Sequence, residues 1–152
     1  MVKTTMRKLS FLFTVLWIVC CYTIAGGGEW AYLMKDEHNN AHYYNKKIIY
    51  PSKGIVGVWL KMKWSGEARS HLMNDMIKKG IHSPDLSKLD YTIAYYKINC
   101  ITYERTCNSG TVYSSDGKVI SDDNFSDRWM PIDTGSLMDV AYKRFCLKSK
   151  SR

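Results

Sequence analysis

The chain has 152 residues, 45% of them hydrophobic, and its 11 Tyr and 5 Trp make it unusually aromatic. That length supports one domain with a real core, and the aromatic content suits a β-rich domain with aromatic sheet faces. The formal charge of +8 overstates the basicity: three of the 22 cations lie in an N-terminal leader, leaving 19 basic against 14 acidic residues, a balance that suits acidic partners or a membrane surface and excludes a nucleic-acid footprint.

Residues 1–25 have the layout of a secretory signal peptide. Lys3, Arg7 and Lys8 form a positive start, Leu9 to Ile24 is an apolar run, and Thr23-Ile24-Ala25 is a small-residue cleavage site before Gly26-Gly27-Gly28. The apolar run is shorter than the ~20 residues a spanning helix needs, so cleavage is favoured over a retained anchor. Cys20 and Cys21 end the run, but lipidation wants a small residue before the cysteine, and Val19 and Cys20 stand there instead. Membrane contact would follow only from such an anchor.

After cleavage Cys100, Cys107 and Cys146 remain. In an oxidising compartment two should pair, and three pairings are open. If the strand from Tyr91 continues unbroken, Cys100 lies on its apolar face and Cys107 on the other. A final helix on the apolar face then favours Cys100 with Cys146, a closure worth on the order of 3–4 kcal/mol in the chain-entropy model. A bulge near Tyr103 would reverse that parity. Cys107 is then a partly buried thiol, or the link in a homodimer.

In chain order, Glu29 to Lys35 reads as a strand with Trp30, Tyr32 and Met34 on one face, and Trp30 is assigned to the core. Asp36 to Asn40 is a polar turn. His42 to Tyr44 and Lys47 to Tyr50 are short strands, and Pro51 to Gly54 is a turn. Ile55 to Trp64 is the cleanest strand: Val56, Val58, Leu60, Met62 and Trp64 share one face, and Gly57, Trp59, Lys61 and Lys63 the other. The period then becomes helical from Glu67 to Lys79, with Gly80 as the terminator. Ser83-Pro84-Asp85 opens a short helical piece. Tyr91 to Ile120 reads as strand, a turn at Asn108-Ser109-Gly110, strand, a hairpin at Asp116-Gly117, and strand. Asp122 to Arg128 is a polar loop, and Trp129 to Ile132 is extended. Ser136 caps the last helix with Asp139 at its third position, and Leu137, Val140, Ala141 and Phe145 form its stripe. Cys146 points away from that stripe on an ideal helix, so a bond to Cys100 requires the helix to end or unwind near Phe145. Residues 147–152 are a basic tail.

This order of signals resembles the surface-adhesin protein E family of bacterial exported proteins. The matching pieces are Trp30, Tyr43-Tyr44, the Gly54-to-Lys63 strand, Tyr96-Lys97-Ile98-Asn99-Cys100, the Ser115-to-Ile120 hairpin, Trp129, and Gly135-Ser136 leading to Tyr142 and Cys146. The resemblance implies an α+β domain over residues 26–146: an antiparallel sheet of about six strands, a C-terminal helix packed on one face, and a disulfide fastening it; the helix read from the period at Glu67 to Lys79 falls in the connection between the third and fourth strands. It also implies surface display and binding of host extracellular-matrix protein.

No catalytic constellation is visible, and no cofactor is expected. Asp36-Glu37-His38 with His42 is the best metal candidate, but a turn between strands does not supply the shared helix face that two histidines four apart would use; a solvated polar loop is the expectation. His71 and His82 have no evident partner, and no histidine can be placed beside Cys107 as a base. Among the aromatics Tyr43, Tyr44, Tyr91, Tyr95, Trp59 and Trp64, the best interface candidate is Trp59, flanked by Lys61 and Lys63 on a face where a core has no need of lysine. The sequence therefore points to an exported, non-enzymatic binding module for a protein or glycan at the outer-membrane surface, or alternatively to a soluble periplasmic inhibitor or envelope-assembly factor.

Overall fold

The structure is a computed structural model and describes residues 28–147; the leader with Cys20 and Cys21, and the tail from Lys148, lie outside them. An antiparallel sheet runs β1 (Trp30–Lys35), β2 (Ala41–Asn45), β4 (Ile55–Lys63), β5 (Leu89–Asn99), β6 (Glu104–Ser114) and β7 (Val119–Asn124) in that spatial order. Two short strands add to it: β3 (Ile49–Ser52) pairs with β4, and β8 (Met130–Pro131) pairs with β6. Helix α1 (Gly66–Lys78) lies in the β4–β5 connection, and α2 (Leu137–Tyr142) closes the fold. This is the expected α+β layering.

The core follows from the alternation of β4. Val56, Val58 and Leu60 point to one side and are buried with Ile98 of β5 and Tyr44 of β2; Met138, Ala141, Phe145 and Cys146 cover them from the last helical segment. Full burial of such a side chain contributes about 1.5–3 kcal/mol, so this layer dominates the stability. A second cluster joins Met76 of α1 to Leu86, Leu89 and Ile120, with Trp64 and Val112 alongside. Trp64 donates its indole N–H to the Thr92 hydroxyl at 2.9 Å, which lets it face inward without an orphaned donor.

Helix ends match their chemistry. Gly80 at φ +80° receives the chain from α1; its N–H bonds Ile77 O, and the N–H of Ile81 bonds Met76 O, the paired pattern of a left-handed helix stop. Ser136 caps α2 by accepting from the Asp139 N–H at 3.2 Å. The Asp139 carboxylate accepts from the Gly135 N–H rather than from Ser136.

Four expectations need correcting. The Asn108-Ser109-Gly110 turn is instead the middle of β6. The chain reverses at Cys100 to Tyr103, where the Asn99 side chain accepts from the N–H groups of Ile101 and Thr102 and Tyr103 takes φ +58°. The turn residues serve as a bulge: Tyr95 pairs with Ser109 and Tyr96 with Cys107, leaving Asn108 extra. The polar loop expected from Asp122 begins three residues later, at Phe125. Asp122, Asp123 and Asn124 pair with β6, because an edge strand tolerates charges that an inner strand does not. The turn before Gly54 is shorter, with Pro51 inside the exposed edge strand β3. Finally, Trp30 is not in the core: Ala31 and Leu33 pack inward, so Trp30 faces the other way.

Cys100 and Cys146 are joined, with their Cα atoms 5.4 Å apart. The parity argument for this pairing does not hold, since the strand turns back and Cys107, opposite Tyr96, is on the helix side too. Separation along the strand decides instead. Tyr96 lies four residues before Cys100, roughly 13 Å at strand rise, beyond the reach of a disulfide. The helix also unwinds as required. From Lys143 to Leu147 it widens into a π turn, in which Phe145 and Cys146 are both buried; an α-helix would separate them by about 100°.

Candidate functional site

Both helices and both clusters occupy one side of the sheet. The other side carries no covering helix, and its register brings together the odd positions of β4 and their neighbours. Trp59 pairs with Tyr95, Lys61 sits between Tyr43 and Ile93, and Lys63 pairs with Ala41 and Tyr91. None of Trp59, Lys61 and Lys63 is buried, and Trp59 is 37% exposed.

The aromatic rings form pairs across the strands. Trp59 and Tyr95 lie 5.0 Å apart, Tyr32 and Tyr43 meet edge to face at 5.8 Å, and Tyr91 stacks on Tyr113 at 4.9 Å with their planes within 13°. The Lys61 ammonium is held over this platform, 4.1 Å from the Tyr91 ring and 5.9 Å from the Trp30 ring. These are cation–π contacts. Lys63 lies 4.0 Å from Asp90, and Lys97 is bonded to Asp127 at 3.2 Å. Lys61 is thus held by rings rather than by a carboxylate. Burial, with Tyr113 and Asp90 adding to it, pushes the Tyr91 phenol up, so that ring stays neutral beneath the ammonium. Gly57 supplies room: a Cβ there would collide with the Tyr95 hydroxyl.

The structure sorts the sequence candidates. Trp59, Lys61 and Lys63 share one face with Tyr43, Tyr91 and Tyr95. Tyr44 and Trp64 are on the other side: Tyr44 packs on Phe145 at 5.2 Å and accepts from Arg144, and Trp64 belongs to the second cluster. Sequence reasoning missed Trp30, Tyr32 and Tyr113. The signal was present in β1, where Ala31 and Leu33 are the positions that suit a helix-covered side.

In the Asp36–His42 region Glu37, His38 and Asn39 form the exposed polar turn expected, but Asn40 and His42 are buried. His42 is 3% exposed, and its Nε2 lies 2.9 Å from Asp36 Oδ2. Asp36 also accepts from the Asn40 side chain and backbone, and Asn40 in turn accepts from the Ser65 N–H that opens α1. Burial raises the Asp36 carboxyl, but the bonds from His42 and Asn40 outweigh it and bring it down to about 2. The network anchors β1, β2 and α1. Among the described residues no group of three or more His, Cys, Asp or Glu is placed to hold a metal ion. Burial pushes the Cys107 thiol up, and its S–H lies 3.8 Å from the Ser109 carbonyl.

A one-sided sheet, helices behind and an open aromatic face in front, defines a scaffold that presents a surface rather than a cleft. A family model described as Surface-adhesin protein E matches residues 30–147, and the chain belongs to that family. No curated protein and no solved structure gives a significant match. No helix among the described residues is long and apolar enough to cross a membrane.

Proposed function

We propose that this protein is an exported, non-catalytic binding module that recognises a protein or glycan partner through the open face of its sheet, with Trp59, Lys61 and Lys63 at the centre of the contact. The observation that carries it is the uncovered platform: three aromatic pairs and a ring-held lysine stand on a face without a covering helix. Tyr and Trp give large contact area at low entropic cost and are enriched at interfaces. Lys61 offers a cation that an acidic residue or acidic sugar on the partner satisfies. Family membership supports an adhesin role at the bacterial surface, with host extracellular-matrix protein as the first ligand class to try. The leader-like residues 1–25 support export.

The test has two parts. Protease digestion of intact producing cells, against a lysed control, should remove the domain; protection until lysis would locate it in the periplasm and end the adhesin reading. Binding to immobilised matrix proteins and to a glycan array should fall about 30-fold or more in Trp59→Ala, the loss expected of a central aromatic anchor, and should fall in Lys61→Glu. Wild-type binding by both variants would refute the face assignment.

A further inference from the structure

A hollow opens on the helix side of the sheet, where neither helix reaches. It begins at the bulge in β6. The extra residue Asn108 bends the strand, and the segment after β7 crosses it there, with the Phe125 N–H bonded to Asn108 O at 2.9 Å. Phe125 then folds over two small residues, Gly110 and its partner Ala94; a Cβ at position 110 would lie 3.2 Å from the ring. The space beside it has a volume of about 330 Å³ and is lined by Arg105, Cys107, Phe125, Ser126, Arg128 and Met130.

Two features of this hollow go together. Its apolar part is open to water, with Phe125 51% and Met130 37% exposed. Its charged part is unmatched. Among the described residues neither Arg105 nor Arg128 makes an ion pair, and Asp127, on the segment between Phe125 and Arg128, is already engaged by Lys97 and Asn108. The larger hollow beside α1, about 480 Å³, lacks this imbalance, since His71 lies against Glu67 and Asp75 against Lys78.

We infer that the hollow at the β6 bulge is a binding site for a small amphiphilic anion, one acidic head group on a short apolar body. Two guanidinium groups can grip a carboxylate, sulfate or phosphate with paired hydrogen bonds. Phe125 and Met130 take the apolar body. The volume is at the small end of ligand pockets, so a single short chain or ring fits and a two-chain lipid does not. The site lies behind the sheet, on the opposite side from Trp59.

The experiment is calorimetric titration of decanoate into the protein as processed by its producing cells, with decanol and acetate as matched probes for body and head alone. Decanoate should bind at least about tenfold more tightly than either. Arg105→Gln combined with Arg128→Gln should weaken it about tenfold or more, while Trp59→Ala, on the other face, leaves it unchanged. A second readout needs no variant: bound decanoate should slow alkylation of Cys107, followed by peptide mapping, because the thiol lines the hollow. Equal binding of decanol and decanoate, unchanged affinity in the double variant, or alkylation of Cys107 at the same rate with and without decanoate would each overturn the inference.

Discussion

Replacing Cys146 by Ser cuts the one covalent tie between the final helical segment and the β5–β6 turn. The loop it closes separates residues 46 positions apart. In the chain-entropy model that closure removes roughly 13–14 cal/mol/K from the unfolded ensemble, about 4 kcal/mol at 25 °C. For a domain of this size each kcal/mol moves the melting temperature by about 4 °C, so the variant should melt roughly 15 °C lower under oxidising conditions. The wild type in excess reductant should fall by nearly the same amount, and the variant should hardly respond to reductant. Thermal melts by circular dichroism, with and without reductant, read all four states. A wild-type melting point indifferent to reductant would refute the reasoning, as would peptide mapping that joins Cys100 to Cys107.

Acid should unfold the protein through its low carboxylates. Asp139 is held at about 2 by Lys143, the Gly135 N–H and the Tyr103 hydroxyl; Asp116 is held there by the Ser114 hydroxyl together with Lys88 and Lys118; Asp36 is lowered to the same value. A depressed carboxyl stabilises fully above its unfolded value near 3.9 and loses that contribution as pH falls through its folded value. Stability measured by urea titration should therefore be flat from neutral pH to about 4 and drop steeply between about 4 and 2. Asp139→Asn should make that drop shallower, and an equally steep drop would exclude Asp139 as a contributor. Gly57→Ala should force the Tyr95 hydroxyl aside, so near-ultraviolet circular dichroism from the Trp59–Tyr95 pair should change while far-ultraviolet spectra stay the same. An unaltered aromatic spectrum would mean that Tyr95 does not rest over Gly57.

Much of this architecture was legible because β4 alternates so cleanly. Val56, Val58 and Leu60 against Trp59, Lys61 and Lys63 define a buried side and a wet side, and the final helix follows from Ser136 and its stripe. Other features depend on partners distant in sequence. Asn108-Ser109-Gly110 has turn chemistry, but pairing with Tyr95 and Tyr96 recruits it as a bulge. The reversal at Cys100 to Tyr103 contains no glycine and relies on the Asn99 side chain and on Tyr103 in a left-handed conformation, which the Asp139 bond and the Tyr142 ring help to hold. The burial of His42 was readable, since it alternates with Tyr44, but the acidic run before it suggested water. The groove at Arg105 and Arg128 has no sequence signature, because a bulge, a crossing segment and a short edge strand assemble it.

The position of the last helical segment has a consequence for the chain as it is made. Met138, Ala141, Phe145 and Cys146 complete the main core, yet every sheet strand precedes them. A chain emerging from its N-terminus can therefore build the whole sheet with α1 covering only its own cluster, while the aliphatic row of Val56, Val58, Leu60 and Ile98 stays bare. During that interval this row is open to neighbouring chains, as the tyrosine and tryptophan side is. Arrival of the final segment completes the cover on the aliphatic side. The aromatic side available to a partner is thus defined by the synthesis of a segment on the opposite side, and nascent chains truncated before Leu137 should be captured by folding factors that ignore the finished protein.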